Sequence, residues 1–330
     1  MMNIPLAPEL NPKSNMRDLS THRVLLTGSN GFVGRAVHAA LMEQGCNDIL
    51  APSRDECNLL HQEHVTQYLM EHRPNIVIHA AASTGGIAWN AANGSTAFHD
   101  NMLMALHTFV AAAQAGCSHI THLSTSIAYP PSATIPLVES QLWDGLPSGP
   151  TAGYATAKKL GGFLLQQLIS DHDMTAAVVM PANVYGRGAR MDPARSNVVA
   201  AMVHRFVDAK RLGLDAVTCW GSGKPEREFI HIDDVADGVI RATACIDNPS
   251  PINLGTGHAC TIRELAERTA NAAGWSGHIA WDTSKPDGVS RVCCDVSQMK
   301  RSLDWMPKVS LDDGLSDMVR WYQNELGTSA

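Results

Sequence analysis

No apolar run in the chain approaches the roughly 20 residues that a membrane span requires. The first 20 residues also lack the apolar core of a secretory leader. Eight cysteines stand among the 330 residues, yet none forms a C-x-x-C pair or a Cys/His zinc spacing, and only Cys293 and Cys294 adjoin. They read as reduced thiols, which with the missing leader predicts a cytoplasmic protein. The 15 histidines show no metal pattern such as H-E-x-x-H, so no metal site is expected. Basic surplus is lacking too: 25 Lys and Arg against 32 Asp and Glu give a net charge of −7, which argues against nucleic acid as a partner. Any anionic ligand must be met by a few local arginines. There is no internal repeat or low-complexity segment, and residues 1–21, rich in Pro, Asn and polar side chains, read as a flexible tail.

What is present is an alternation of strands and helices. The patterning predicts strand 23–27, helix 32–44, strand 48–52, helix 61–72, strand 75–79, helix 99–115, strand 119–123, helix 153–170 and strand 175–180. That order implies an α/β fold, a doubly wound parallel sheet, whose crevice lies at the carboxyl ends of the strands. Gly28, Ala80, Thr125 and Pro181 fall there. Beyond Pro181 the pattern is mixed. Thr261 and Glu264 open a helix with a capping box and Gly274 closes it, and a last helix runs from Ser310 to Leu326. The expected organisation is a dinucleotide-binding domain of 22–185 plus about 212–258, with last sheet strands near 216–220 and 251–254, and a smaller mixed lobe of about 186–211 plus 259–330.

Two motifs carry chemistry. Val24 to Thr27 is an apolar strand that runs into Gly28-Ser29-Asn30-Gly31-Phe32-Val33-Gly34, and an amphipathic helix follows at once. Glycines at such a turn let the backbone approach a pyrophosphate seated on the helix N-terminus. The second motif pairs Leu123-Ser124-Thr125-Ser126-Ile127-Ala128-Tyr129 with Tyr154-Ala155-Thr156-Ala157-Lys158. Tyr154 and Lys158, four apart on a helix, share a face, so the ammonium is expected to lower the phenol and let it pass a proton at neutral pH. A hydroxyl, a phenol and an ammonium suit hydride chemistry on a carbonyl or alcohol. The predicted helix 153–170 is apolar around more than one stripe, so it is buried on two sides. One side meets the sheet; the other meets either helix 99–115 of a second subunit, giving a homodimer, or the chain's own C-terminal lobe.

Together the motifs resemble the extended short-chain dehydrogenase/reductase family. Ser53-Arg54-Asp55-Glu56-Cys57-Asn58-Leu59, Thr84-Gly85-Gly86-Ile87, Trp220 through Phe229, Asn253-Leu254-Gly255-Thr256-Gly257 and Ser284-Lys285-Pro286-Asp287-Gly288 narrow the likeness to its GDP-L-fucose synthase group. The resemblance, over about residues 22–322, implies a GDP-sugar substrate with a keto group at carbon 4, reduced by NADP(H). It makes Thr125, Tyr154 and Lys158 the catalytic triad, with Thr125 where serine is common. It lays the cofactor along Gly28, Ser29, Asn30, Gly31, Phe32, Val33 and Gly34, beside Lys158, and past the strand ends at Ala80, Ala82, Leu123, Ser124, Pro181, Asn183 and Val184. It places Ser126, Asn183, Asn197, Arg205, Trp220, Arg227 and Asp287 against the sugar nucleotide.

The departures from the family matter as much. The resemblance implies that such synthases epimerise carbons 3 and 5 with a cysteine and a histidine at positions that hold Ile127 and Asn197 here. Neither side chain takes a proton from carbon at neutral pH. Ser126-Ile127 likewise stands where the related dehydratases have Asp-Glu, and Val292 replaces a usual basic residue. Reduction at carbon 4 is what remains, with a full synthase and an NDP-sugar 4-epimerase as alternatives; intact Tyr154 and Lys158 argue against a non-enzymatic cofactor sensor. For the cofactor, Arg54 after strand 48–52 suits the 2′-phosphate of NADP(H), while Asp55 leaves NAD(H) as the alternative.

Overall fold

The computed structural model describes residues 16–192 and 196–328. The chain forms β1 (Val24–Thr27), α1 (Phe32–Glu43), β2 (Ile49–Leu50), α2 (Gln62–His72), β3 (Ile76–His79), α3 (Ile87–Ala92), α4 (Gly94–Gln114), β4 (His119–Leu123), α5 (Ala152–Asp171) and β5 (Thr175–Pro181). Then come β6 (Asn183–Tyr185), α6 (Val198–Leu212), β7 (Ala216–Trp220), β8 (Glu226–His231), α7 (Ile232–Cys245) and β9 (Pro251–Leu254). The last elements are β10 (Ala259–Thr261), α8 (Ile262–Ala273), β11 (His278–Asp282), β12 (Arg291–Val292), α9 (Ser297–Leu303) and α10 (Leu311–Thr328).

Six strands make one sheet in the order β2-β1-β3-β4-β5-β9, and every pairing is parallel. Its strands are buried on both faces, so β1, β3 and β4 are inaccessible along their whole length. α2, α4 and α5 cover one face, with Phe109, Leu69 and Leu165 in their core, while α1, α7 and α9 cover the other. A smaller layer packs α6, α8 and α10 around Phe206, Leu265 and Leu315. Beneath it lie the β10-β8-β12 sheet, joined by β6, and the separate pair β7-β11.

Several boundaries differ from the expectation. β7 at 216–220 is not a strand of the main sheet: it alternates exposed and buried residues and pairs with β11, so Val217 and Cys219 join the smaller core. α9 moves the other way, because Met299, Leu303 and Trp305 pack with the main core rather than the small lobe. α4 begins at Gly94, five residues before the expected start, since Gly94-Ser95-Thr96 are weak helix formers that hide its first turn. β2 keeps two residues of the expected five, the chain turning away near Pro52. Of the expected tail, residues 1–15 lie outside the described residues. Residues 16–21 are structured: Leu19 is buried, and the Arg17 guanidinium donates to Thr243 O at 2.8 Å and Thr175 Oγ1 at 2.9 Å and pairs with Asp247.

Two buried polar side chains tie the lobes and connections together. The Glu228 carboxylate, 1% exposed, accepts from Gly257 N at 2.7 Å and Cys294 N at 2.6 Å. Asn253, wholly buried, accepts from Tyr129 OH at 2.9 Å and donates to Leu137 O at 2.9 Å and Asp295 O at 3.0 Å, while its own N–H donates to Glu139. Acceptor-only geometry at Glu228 means that an amide there would turn a donor toward one of those N–H groups. Glu228→Gln should therefore cost about 2–3 kcal/mol of unfolding free energy. Chemical denaturation measures it, and a loss below about 0.5 kcal/mol would remove the carboxylate from this role.

Candidate active site

β1 ends at Thr27 and the chain turns at Gly28, whose φ of +71° is left-handed. A Cβ there would lie 2.7 Å from the Ala81 backbone, so only glycine lets the loop settle against the end of β3. Gly31 N donates to Gly28 O at 2.8 Å, and a Cβ on Gly34 would overlap that same carbonyl. Ser29, Asn30, Phe32 and Val33 complete the loop and the first turn of α1, which presents its free N–H groups and positive end over the sheet edge. This glycine cradle fits a pyrophosphate. A second feature fits a bound cofactor: Ser124, 4% exposed at the end of β4, has a buried Oγ with no partner among the described residues. Leu123, Ser124 and Pro181 are buried at neighbouring strand ends, Ala80 is partly exposed there, and Ala82 is exposed.

Arg54 is exposed on the turn after β2 and makes no ion pair with a described residue. Ser53 N donates to Glu56 Oε2 at 2.7 Å and Glu56 N to Ser53 Oγ at 3.3 Å, which closes the turn that carries Arg54. Arg35, one residue past Gly34 and not singled out from the sequence, donates to Asn30 O and Gly188 O, both at 2.8 Å. It staples the glycine loop to the segment after β6. Its place directly after the third glycine was the only available signal.

α5, which carries Tyr154 and Lys158, packs against the Ser126–Ala128 turn that Thr125 caps. Thr125 Oγ1 accepts a long 3.4 Å bond from Ile127 N and is partly exposed. Lys158 is 3% exposed, and its ammonium donates to Ala81 O at 2.9 Å. Burial pushes the ammonium down to about 7 and the half-buried Tyr154 phenol up to about 12. This runs against the expectation that Lys158 lowers the phenol: loss of water is the cause of both shifts, and the phenol rises. A phenol held protonated across the neutral range is a proton donor. Ser126 is buried below the turn and Ile127 is 36% exposed beside it.

Asn197 caps α6. Its Oδ1 accepts from Ala200 N at 2.9 Å and its Nδ2 donates to Val184 O at 3.0 Å, so both ends of the amide are engaged. Asn183 is engaged as well, donating to Glu228 O at 2.8 Å across β6 and β8. Trp220, 65% exposed at the end of β7, has the Arg205 guanidinium and the Lys285 ammonium each 5.8 Å from its ring centre. Arg227 lies on β8, in a different sheet from Trp220, and is partly exposed. Asp287 is turned to the protein: its carboxylate accepts from Ser222 N at 2.6 Å and Ser222 OH at 2.7 Å, which clamps the turn after Trp220. Among the described residues no His, Cys, Asp or Glu cluster is placed to hold a metal ion, and no helix is long and apolar enough to cross a membrane.

Residues 24–255 match the NAD dependent epimerase/dehydratase family. The chain is 35% identical to GDP-L-fucose synthase 1 of Arabidopsis thaliana over 309 residues, covering 94% of this chain and 95% of that protein. Among solved structures it resembles a GDP-6-OMe-4-keto-L-xylo-heptose reductase of Campylobacter jejuni, with a TM-score of 0.85 and 25% identity over 94% of this chain and all of that one. It also resembles a GDP-mannoheptose C4 reductase of the same organism with NADP bound, at a TM-score of 0.82 and 25% identity over 92% and 99% of the two chains. The glycine loop, the paired Tyr154 and Lys158 and this likeness along nearly the whole chain lead to one assignment: the chain belongs to the NAD dependent epimerase/dehydratase family, as an enzyme of the extended short-chain dehydrogenase/reductase type.

Proposed function

We propose that the protein is an NADPH-dependent 4-ketoreductase of a GDP-4-keto sugar that leaves the neighbouring ring carbons untouched. The observation that carries this reading is the state of Ile127 and Asn197, which sit where the resemblance places the epimerising cysteine and histidine. Ile127 is a hydrocarbon, and the Asn197 amide is spent on capping α6 and holding Val184. The two Campylobacter jejuni structures named above are a 4-keto sugar reductase and a C4 reductase, which supports the same direction.

In this reading the Gly28–Gly34 cradle holds the cofactor diphosphate, Ser124 Oγ gains its missing partner, and the cofactor supplies hydride when bound. Thr125 orients the substrate oxygen by a hydrogen bond. Tyr154, protonated up to about pH 12, donates the proton that the new hydroxyl requires. Lys158 is a charged donor below about pH 7 and loses that charge as pH rises, so its contribution fades on the alkaline side. Arg205, Trp220 and Arg227 take the nucleotide, where guanidinium groups suit a diphosphate and the indole an aromatic base. Asp287 acts on that surface through Ser222. Phe98, Leu106 and Phe163, all more than a third exposed on α4 and α5, are uncovered by the chain's own lobe and support a homodimer through these helices.

Incubation with GDP-4-keto-6-deoxymannose and NADPH in deuterium oxide tests the reading directly. Carbon 4 should be reduced while carbons 3 and 5 stay unlabelled by NMR, because exchange requires a base that removes and returns those protons. Deuterium at either carbon would overturn it. Cys219 is a poor substitute base, being 1% exposed with its thiol pushed up by burial.

Cofactor choice has its own test. Arg54→Ala should raise the NADPH Michaelis constant about tenfold while that for NADH changes little, since one charge-assisted contact is worth about 1.5–3 kcal/mol. Equal effects on both cofactors would make Arg54 structural.

Lys158 gives a third prediction. A buried ammonium with no carboxylate partner among the described residues costs stability, because its native value near 7 lies below the unfolded value of 10.5. The unfolded chain therefore holds its proton more firmly, and the cost is full below about pH 7 and vanishes toward pH 10.5. Lys158→Met should raise the cofactor-free unfolding temperature most below pH 7 and abolish turnover, a separation expected of a residue kept for chemistry. Unchanged stability with retained turnover would remove Lys158 from the site.

A further inference from the structure

Behind Lys158 lies a buried group of rings with no place in the mechanism. His122 on β4 is wholly buried, and its Nε2 is 2.9 Å from the Lys158 carbonyl oxygen. A carbonyl only accepts, so Nε2 carries the hydrogen and Nδ1 bears a lone pair, which is buried with no partner among the described residues. His79 on β3 lies 5.7 Å away, ring centre to ring centre, and Phe109 packs edge-on against both imidazoles. Burial holds both imidazoles neutral, with His122 pushed down to about 3. His79 Nδ1 meets Thr27 Oγ1 at 3.0 Å, and that hydroxyl accepts from Ala81 N at 3.4 Å. Ala81 O in turn accepts from the Lys158 ammonium. Lys158 is thus held at its backbone by His122 and at its tip by Ala81, within one connected circuit.

The sequence of α5 fits that contact. Gly161 and Gly162 stand in the helix interior, where glycine is a poor helix former. A Cβ on Gly161 would lie 2.8 Å from His122 Nε2, so the missing side chain is the room the imidazole occupies. We propose that His122 is a positioning residue for Lys158: its Nε2–H fixes the Lys158 carbonyl, and so the point on α5 from which the ammonium reaches toward Ala81 and the reacting hydroxyls. The proposal rests on Lys158 being catalytic. The titratable groups that feel the ammonium are His79 and His122 from the sheet, and Tyr154 lies one turn before it on its own helix.

The test compares His122→Leu, His122→Gln, Gly161→Ala and Lys158→Met. It measures NADPH oxidation with GDP-4-keto-6-deoxymannose and, separately, the NADPH dissociation constant by nicotinamide fluorescence from about pH 6 to about pH 9. His122→Leu should lower kcat at least about tenfold with KM nearly unchanged, and His122→Gln, which restores an N–H donor, should recover to within about threefold. Released from its anchor, the ammonium gains water, so the alkaline weakening of NADPH binding should move upward in pH. Gly161→Ala should reproduce the loss from the helix side, and it decides the matter if the leucine variant does not fold. Turnover within about threefold of the parent in folded His122→Leu, or in Gly161→Ala where the leucine variant does not fold, with unshifted pH dependence, overturns the proposal. Lys158→Met separates the two levels: retained turnover there sinks the catalytic reading itself, whereas an inactive Lys158→Met beside an unimpaired His122→Leu sinks only the positioning role.

Discussion

The backbone of Ala81 is the point from which the site hangs. Gly28 can approach it only because Gly28 has no side chain, and the Lys158 ammonium ends on its carbonyl oxygen. One residue just past β3 therefore meets the glycine loop on one side and the helix bearing Tyr154 and Lys158 on the other. Close approach of backbones, bought with glycines, recurs at Gly153, whose Cβ would overlap the Gly94 carbonyl just before Tyr154, while Gly161 makes the same kind of room for the His122 side chain. Tyr154 and Lys158 hold their places because α5 is drawn tightly onto its neighbours.

The smaller lobe is attached by buried polar groups rather than by a continuous apolar core. Glu228 gathers the Gly255–Gly257 turn and the Cys294 segment, Asn183 binds back to Glu228's carbonyl, and Asn253 gathers Tyr129, Leu137, Glu139 and Asp295. Such groups tolerate one arrangement, because each unpaired donor or acceptor would be left dry. Arg35, reaching from α1 to Gly188, adds a direct strap between the cofactor loop and the segment leading to Asn197.

Electrostatics at the site are set by burial rather than by ion pairing. Tyr154 is driven up and Lys158 down by the same loss of water, which keeps the phenol protonated and makes the ammonium the pH-sensitive member. In a chain of net charge −7, Arg54 and Lys285 are exposed and Arg205 and Arg227 half-buried.

The sequence by itself determined the parallel sheet, the glycine turn, the Tyr154–Lys158 spacing and the family, because each depends on residues close together along the chain: alternation, caps and four-residue helical spacing are local. It located β7 but not its partner, since an alternating strand pairs equally well with either sheet until β11, some sixty residues later, is in place. Asn197 was legible as a missing base, but its capping of α6 was not. Asp287 was legible as part of a motif, but not as the clamp on Ser222. His122 gave no signal, because its partner is a main-chain carbonyl 36 residues away and the clue lies in a glycine on another element. Tertiary structure alone decided the ionisation of Tyr154 and Lys158, for desolvation depends on what the whole fold stacks around them and not on the four residues that separate them.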